Sequence, residues 1–245
     1  FIPEAATVIN ASAYTDVDGA EIDEAGAAAI NADAVALIAH TLKDKGGKLI
    51  HVSTDYVFDG RATSAYAEDA PRAPQTAYGR SKMHGELAIQ EILPHSGIIL
   101  RTAWLYGYPG KCFPATILRA SQDREVLDVV TDQVGQPTWT GDVAKMVESL
   151  VVNDIAHGIF HATNSGQTSW HGFAQSIFRH AGLGEHRIRP TVSEAFPRPA
   201  PRPSYSVLGH DAWSLHGLPE PRSWKDALAE AWTEELQHVL GEQAR

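Results

Sequence analysis

KLIHV (48–52) runs directly into STDYVFDG (53–60), and YGRSK (78–82) follows after a loop that passes two prolines, Pro71 and Pro74. The first stretch is an apolar run, bounded on its near side by Gly46-Gly47 and ending in hydroxyl-bearing side chains, which is the pattern of a buried strand. Tyr78 and Lys82 stand at i and i+4, so on a helix they share one face. Working outward, Thr7–Ala11 (TVINA) reads as a strand, Ile22–Lys45 as one long Ala-rich helix, Tyr78–Leu93 as a helix closed by Pro94, and Gly97–Arg101 as a third strand. Strand, helix, strand, helix, strand with short connections predicts an α/β fold with a parallel sheet.

Beyond Trp104 the pattern loosens. Helices are expected over Phe113–Ser121, Thr140–Val152, Ser169–Ala181 and Trp224–Leu240, and strands over Glu125–Val130 and Gly158–Ala162. Thr191–Tyr205 is proline-rich and reads as an ordered loop.

The bulk numbers narrow the function classes. A chain of 245 residues can bury a full core, and 43% hydrophobic with 20% charged residues is ordinary for a globular protein. A net charge of −10 argues against non-specific nucleic-acid binding. The single Cys112 cannot form an internal disulfide and has no metal-site spacing around it, so no metal site is expected. No apolar run long enough to span a bilayer was evident in the sequence and Phe1–Gly19 does not read as a signal peptide, so no membrane and a cytoplasmic location are expected. The chain opens on Phe1, and no Gly-x-x-Gly-x-x-Gly loop precedes the first strand. The expectation is that the start of a nucleotide-binding domain is missing from this sequence.

The chemistry of the Tyr/Lys pair follows from its charges. A free phenol titrates near pH 10, and a nearby ammonium would move it toward the working range. Such a Tyr78 could give a proton to a carbonyl oxygen while hydride arrives at carbon. The pair alone is a weak signal: Tyr78 could simply pack, and Lys82 could be a solvated partner of Glu86. Its context strengthens it. Thr54 ends the second strand and Asn10-Ala11-Ser12-Ala13 ends the first, where ligands of open parallel sheets bind.

INASAYTDVD (9–18), STDYVFDG (53–60), YGRSK (78–82), RTAWLYG (101–107), DQVGQPT (132–138) and RPSYSVL (202–208) follow one another in order. In these motifs the sequence resembles the dTDP-4-dehydrorhamnose reductases, extended short-chain dehydrogenases/reductases, from about Thr7 to Trp224. The resemblance implies a Rossmann-type domain over 1–110, with 139–165 contributing, and a smaller α/β sugar-nucleotide domain over 111–138 and 166–245. It implies reduction of a sugar 4-ketone by NADPH or NADH, giving dTDP-L-rhamnose. Tyr78 would be the proton donor, with Lys82 and Thr54 beside it and Asn31 positioning the group. Ala11, Ser12, Ala13, Tyr14, Thr15 and Ser53, with Tyr78 and Lys82, would border the cofactor. Val17, Asp18, Thr54, Asp55 and Trp104 would border the nucleotide sugar, with Arg198 and Arg202 offering guanidinium forks to its diphosphate. Gln133 and Tyr205 fall in matching motifs without a firm role. Some relatives use Mg²⁺ at a homodimer contact, and no ligand cluster commits this chain to it. Three other readings share the motifs. A dehydratase needs a second acid after Thr54-Asp55, where this chain has Tyr56. A 4-epimerase would oxidise and re-reduce the same sugar. A non-catalytic subunit resembling the methionine adenosyltransferase β subunit would bind cofactor without turnover.

Overall fold

The computed structural model describes residues 2–240; the end of the expected second domain, residues 241–245, lies outside them. Four parallel strands form the main sheet: β1 (Thr7–Asn10), β2 (Lys48–Thr54), β3 (Gly97–Thr102) and the strand Gly158–His161, in that spatial order. β3 is buried along its whole length and β2 nearly so, which is why both read as unbroken apolar runs. Thr54 pairs with Thr102, so β2 and β3 end side by side.

Helix packing explains the sheet's cover. Val35, Ala39 and Leu42 meet Leu49, Ile89, Ile92 and Ile99 in one cluster. Burying each of the larger side chains contributes about 1.5–3 kcal/mol. The helix carrying Tyr78 and Lys82, Ala77–Ile92, is capped by Thr76, whose side chain accepts from the Gly79 N–H. Gly85 permits close approach to the preceding helix, because a Cβ there would stand 2.2 Å from the Asn31 carbonyl oxygen.

The expected single helix over 22–45 is three pieces: Glu24–Ala28, a π-helical segment Ala29–Asp33, and Ala34–Asp44. The π turn carries the fully buried Asn31. By length and composition alone, Glu24–Asp44 is apolar enough to cross a membrane, contrary to the sequence expectation that no such stretch exists. Val35, Ala39 and Leu42 belong to the core cluster above, but only 28% of the apolar window is buried and Leu37 is 68% exposed. The last expected helix also ends early, at Glu234, and a 3₁₀ turn covers Leu236–Leu240.

The chain divides into two compact units. The first holds 1–102, 147–162 and 198–220, and the second holds 103–146, 163–197 and 221–245. Arg198–Glu220 groups with the first unit, unlike the division drawn from sequence. The cause is local: Ala200 N–H and Arg202 bond Asp18, and Leu208 bridges to Tyr66. In the second unit, Leu127–Val130 pairs in parallel with Ile188–Thr191, a strand hidden in the sequence by Pro190. Its core gathers Tyr106, Trp139, Phe173, Trp224 and Leu228.

Candidate functional site

At the carboxyl end of β2, backbone and side chains converge on Thr54. Its hydroxyl donates to Asp55 Oδ1 at 3.0 Å and accepts from the Tyr56 N–H at 3.2 Å. Thr54 also acts on the Tyr78 phenol, pulling its pKa down against burial, so the threonine lies beside both the aspartate and the tyrosine. Tyr78 is half-buried, and its ring meets that of Tyr56 edge-on, with centroids 5.6 Å apart.

Lys82 is not the solvated surface residue that the bland reading allows; it is 1% exposed. Its Nζ donates to the Val52 carbonyl at 2.6 Å and lies 3.1 Å from His51 Nε2. Burial brings it down to about 8, while the Glu86 carboxylate pulls the other way. Glu86 is not its hydrogen-bond partner. That carboxylate takes both arms of Arg101, at 2.9 and 2.8 Å, together with Arg72 and the Ser53 hydroxyl.

One expectation fails here. Burial raises the Tyr78 phenol to about 12, Thr54 opposes this, and the Asp55 charge adds to it. Lys82 is not among the groups that act on the Tyr78 phenol; its Nζ meets the Val52 carbonyl and His51 instead. At neutral pH Tyr78 therefore keeps its proton. Asp55 is lifted by burial to about 6, against bonds from Thr54 and Ser206, and its Oδ2 is buried without a partner.

The other expected residues sort by place. Ala11, Ser12 and Thr15 are exposed beyond β1, with Ala13 and Tyr14 half-buried. Asn31 fixes this turn: its side chain accepts from Tyr14 N–H at 2.9 Å, and donates to Tyr14 O at 3.1 Å and Ser81 Oγ at 3.0 Å. Those bonds reach outside its own helix, to the turn after β1 and to the Tyr78 helix. Ser53 faces inward to Glu86 rather than toward a cofactor, because side chains alternate along a strand. Val17 and Asp18 lie on the short helix Val17–Ala20, near the proline-rich segment. Asp18 accepts from Arg202 Nη2 at 2.7 Å and stands 3.8 Å from Arg198. Burial pulls Asp18 up, but Arg202, the Ala200 N–H and Arg198 together hold it low. Arg202 also donates to Ala200 O, so its fork is engaged within the protein; Arg198 is the more exposed of the two. An open cleft of about 190 Å³ beside Tyr56 is lined by Arg61, Gln75, Thr76 and Arg202.

In the second unit, Trp104 stacks on Trp170 with ring centroids 3.6 Å apart, so one indole face is covered. Gln133 donates to Ser193 Oγ, and Asp132 accepts the Ser193 N–H and hydroxyl, which gives the Asp-Gln motif a bracing task. Tyr205 N–H donates to Gly60 O. Among the described residues no cluster of three acidic, His or Cys side chains could hold a metal ion. His51 and Arg101 were given no role from sequence, and Glu86 and Asn10 were named only as a possible surface partner of Lys82 and as part of the end of the first strand. The only signal for them was polar residues inside apolar strands or on a buried helix face.

Residues 3–237 match the RmlD substrate binding domain. The chain belongs to that family. Among its relatives is a probable dTDP-4,6-dihydroxy-2-methyloxan-3-one 4-ketoreductase of Streptomyces antibioticus. It is 50% identical over 230 residues, covering 94% of this chain and 78% of the relative. The dTDP-4-dehydrorhamnose reductase of Streptomyces griseus is 44% identical over 231 residues, 93% of this chain and 76% of the relative. The crystal structure of a dTDP-4-dehydrorhamnose reductase from Clostridium acetobutylicum superposes with a TM-score of 0.88 at 39% identity, covering 93% of this chain and 80% of that one. The dTDP-4-dehydrorhamnose reductase of Bacillus anthracis in complex with NADP gives the same score at 36% identity and the same coverage. At 18% identity, a dTDP-glucose 4,6-dehydratase of Streptomyces venezuelae, with a TM-score of 0.76, shares the fold.

Proposed function

We propose that the protein reduces the 4-keto group of a dTDP-linked deoxysugar, dTDP-4-dehydro-L-rhamnose, to dTDP-L-rhamnose. NADPH or NADH would supply the hydride. The observation that carries this is Thr54 beside the Tyr78 phenol at the carboxyl end of β2, one helical turn from a buried Lys82. The relatives' names agree in chemistry, each reducing or carrying a 4-keto dTDP sugar.

The residues present suit the nicotinamide side of a dinucleotide. Ala11 and Ser12 leave the end of β1 open, Asn31 holds Tyr14 in place, and Lys82 Nζ stands ready at the end of β2 for ribose hydroxyls. In the reduction, Tyr78 Oη gives its proton to the carbonyl oxygen as carbon takes the hydride, so a hydroxyl forms and a phenolate remains. A phenol held near 12 is protonated throughout the neutral range, so the proton is present to give, although a general acid is most effective with a pKa near the working pH. Thr54 favours the phenolate that remains, because its influence on Tyr78 is to lower the phenol's pKa. The first unit would then be the cofactor domain and the second would serve the sugar nucleotide, with Val17, Asp18 and Arg198 on the first unit contributing to the nucleotide sugar.

The test is NADPH oxidation by the purified protein with dTDP-4-dehydro-L-rhamnose. Tyr78→Phe should lose at least 10²-fold in kcat, the usual scale for a general acid, while NADPH affinity changes little. Near-normal kcat in that variant removes Tyr78 from the mechanism. Cofactor binding without any turnover by the wild type would favour the non-catalytic subunit instead.

A further inference from the structure

The hydrogen bonds between β1, β2 and the Tyr78 helix have a direction that can be traced atom by atom. The Ser12 backbone N–H can only donate, and it reaches Asn10 Oδ1 at 3.1 Å. The Ser12 hydroxyl donates to the same oxygen at 2.6 Å. These two bonds fix which end of the Asn10 amide is oxygen. Asn10 Nδ2 therefore faces His51 Nδ1, at 3.1 Å, and donates to it. A ring nitrogen that accepts carries no hydrogen, so a neutral His51 has its proton on Nε2. Nε2 lies 3.1 Å from Lys82 Nζ. An ammonium has no lone pair to offer a ring N–H; a free amine has one, and keeps a hydrogen for the Val52 carbonyl.

We propose that His51 holds Lys82 as a free amine through this one-way chain, so that the orientation of the Asn10 amide sets the charge on Lys82. The inference rests on the reading of Lys82 as part of the reductase site, and makes His51 a positioning residue. Three observations support it. His51 is fully buried, and burial is the largest cause that lowers its pKa, so it stays neutral in the fold. Burial lowers Lys82 to about 8, within reach of neutral pH. The one charged side chain acting on both is Glu86, and its carboxylate is committed to Arg101, Arg72 and Ser53.

The opposite state has a clear cost. A charged Lys82 donates to Nε2, which moves the ring proton to Nδ1 and requires Asn10 to turn over. Its Nδ2 would then face the Ser12 N–H, and that bond is lost, while the Ser12 hydroxyl turns to accept from Nδ2. Ser12 is exposed at the end of β1. A ligand that takes over the Ser12 donors releases the lock and lets Lys82 take up a proton from solvent.

The experiment is long-range ¹H–¹⁵N correlation spectroscopy of the histidine side chains, with His51→Leu to assign the signal. Without added nucleotide at pH 7.5, His51 should be the Nε2–H tautomer. Asn10→Asp, whose oxygens can only accept there, should convert it to Nδ1–H, and Ser12→Ala should shift part of the population the same way. An Nδ1–H ring or an imidazolium in the wild type overturns the proposal. A second readout is the pH profile of kcat/KM. In His51→Leu the limb set by Lys82 should move up by about one pH unit, the worth of one lost hydrogen bond. An unmoved limb with a merely lower rate would mark His51 as structural and also overturn the proposal. The tautomer is read without turnover, so a protein with no reductase activity but the Nε2–H ring would sink the reductase reading alone.

Discussion

Replacing Glu86 by Gln should be among the most destabilising conservative changes in the first unit. Glu86 is 0% exposed and Arg101 is 1% exposed. The carboxylate receives two bonds from Arg101, one from Arg72 at 2.5 Å and one from Ser53 at 2.6 Å. Burial pulls its pKa up, yet Arg101, Ser53 and Arg72 together hold it below the usual carboxylate value. Gln keeps the shape and removes the charge. Arg101 then sits in the interior with its guanidinium uncompensated, a loss of about 3–5 kcal/mol. A whole domain has only about 5–15 kcal/mol to lose. With a urea slope of about 2 kcal/mol/M, the midpoint should fall by about 2 M. Urea titration followed by circular dichroism measures it. The double variant Glu86→Leu with Arg101→Met should recover most of the loss, because no charge is then stranded. A single-variant loss under about 1 kcal/mol, or a double variant no better than the single, would refute the reasoning.

Further outcomes follow from the same geometry. His51 and His161 are both buried and both driven to about 3, by burial first and then by Lys82 and Arg101 respectively. Between about 3 and the unfolded value of 6.5 the unfolded chain binds more protons, so stability is full above 6.5 and drains as pH falls. Urea midpoints measured from pH 7 to pH 4 should drop steadily; a flat series contradicts the burial of these rings. Asp55 has the opposite sign: its folded value near 6 exceeds the unfolded 3.8, so its charge costs stability that appears as pH rises through that window. Asp55→Asn should raise the melting temperature at pH 7 and leave it unchanged at pH 4, and an equal shift at both would show that the charge is not the cause. Gly85→Ala should destabilise by about 1–3 kcal/mol, since the new Cβ would lie 2.2 Å from Asn31 O. It should also loosen the Tyr14 turn, read as weaker NADPH binding; an unchanged melting temperature would show that the helices move apart freely.

How much was legible depended on the range of the interaction. The strands at Thr7, Lys48 and Gly97 were found within a residue or two: at Lys48 and Gly97 burial on both faces writes a continuous apolar run into the sequence, and the more exposed first strand shows through its β-branched Thr7, Val8 and Ile9. The Ser169 cap and the Thr140–Val152 helix were legible for similarly local reasons. Pro190 concealed a strand, since proline is rare within paired strands, and the π turn at Asn31 left no mark in an Ala-rich helical pattern.

Sequence alone determined the parallel α/β sheet, the motif order that marks the family, and the choice of Tyr78, Lys82 and Thr54 as candidates. Periodicity and short motifs are carried by neighbours along the chain, so they survive without coordinates. Only the tertiary structure decided what each charge faces. Lys82 met His51 and the Val52 carbonyl rather than Glu86, Ser53 turned inward to that glutamate, and Arg202 closed on Asp18. Those partners come from distant parts of the chain, and in a buried site the electrostatics of a group are set by the few atoms packed against it.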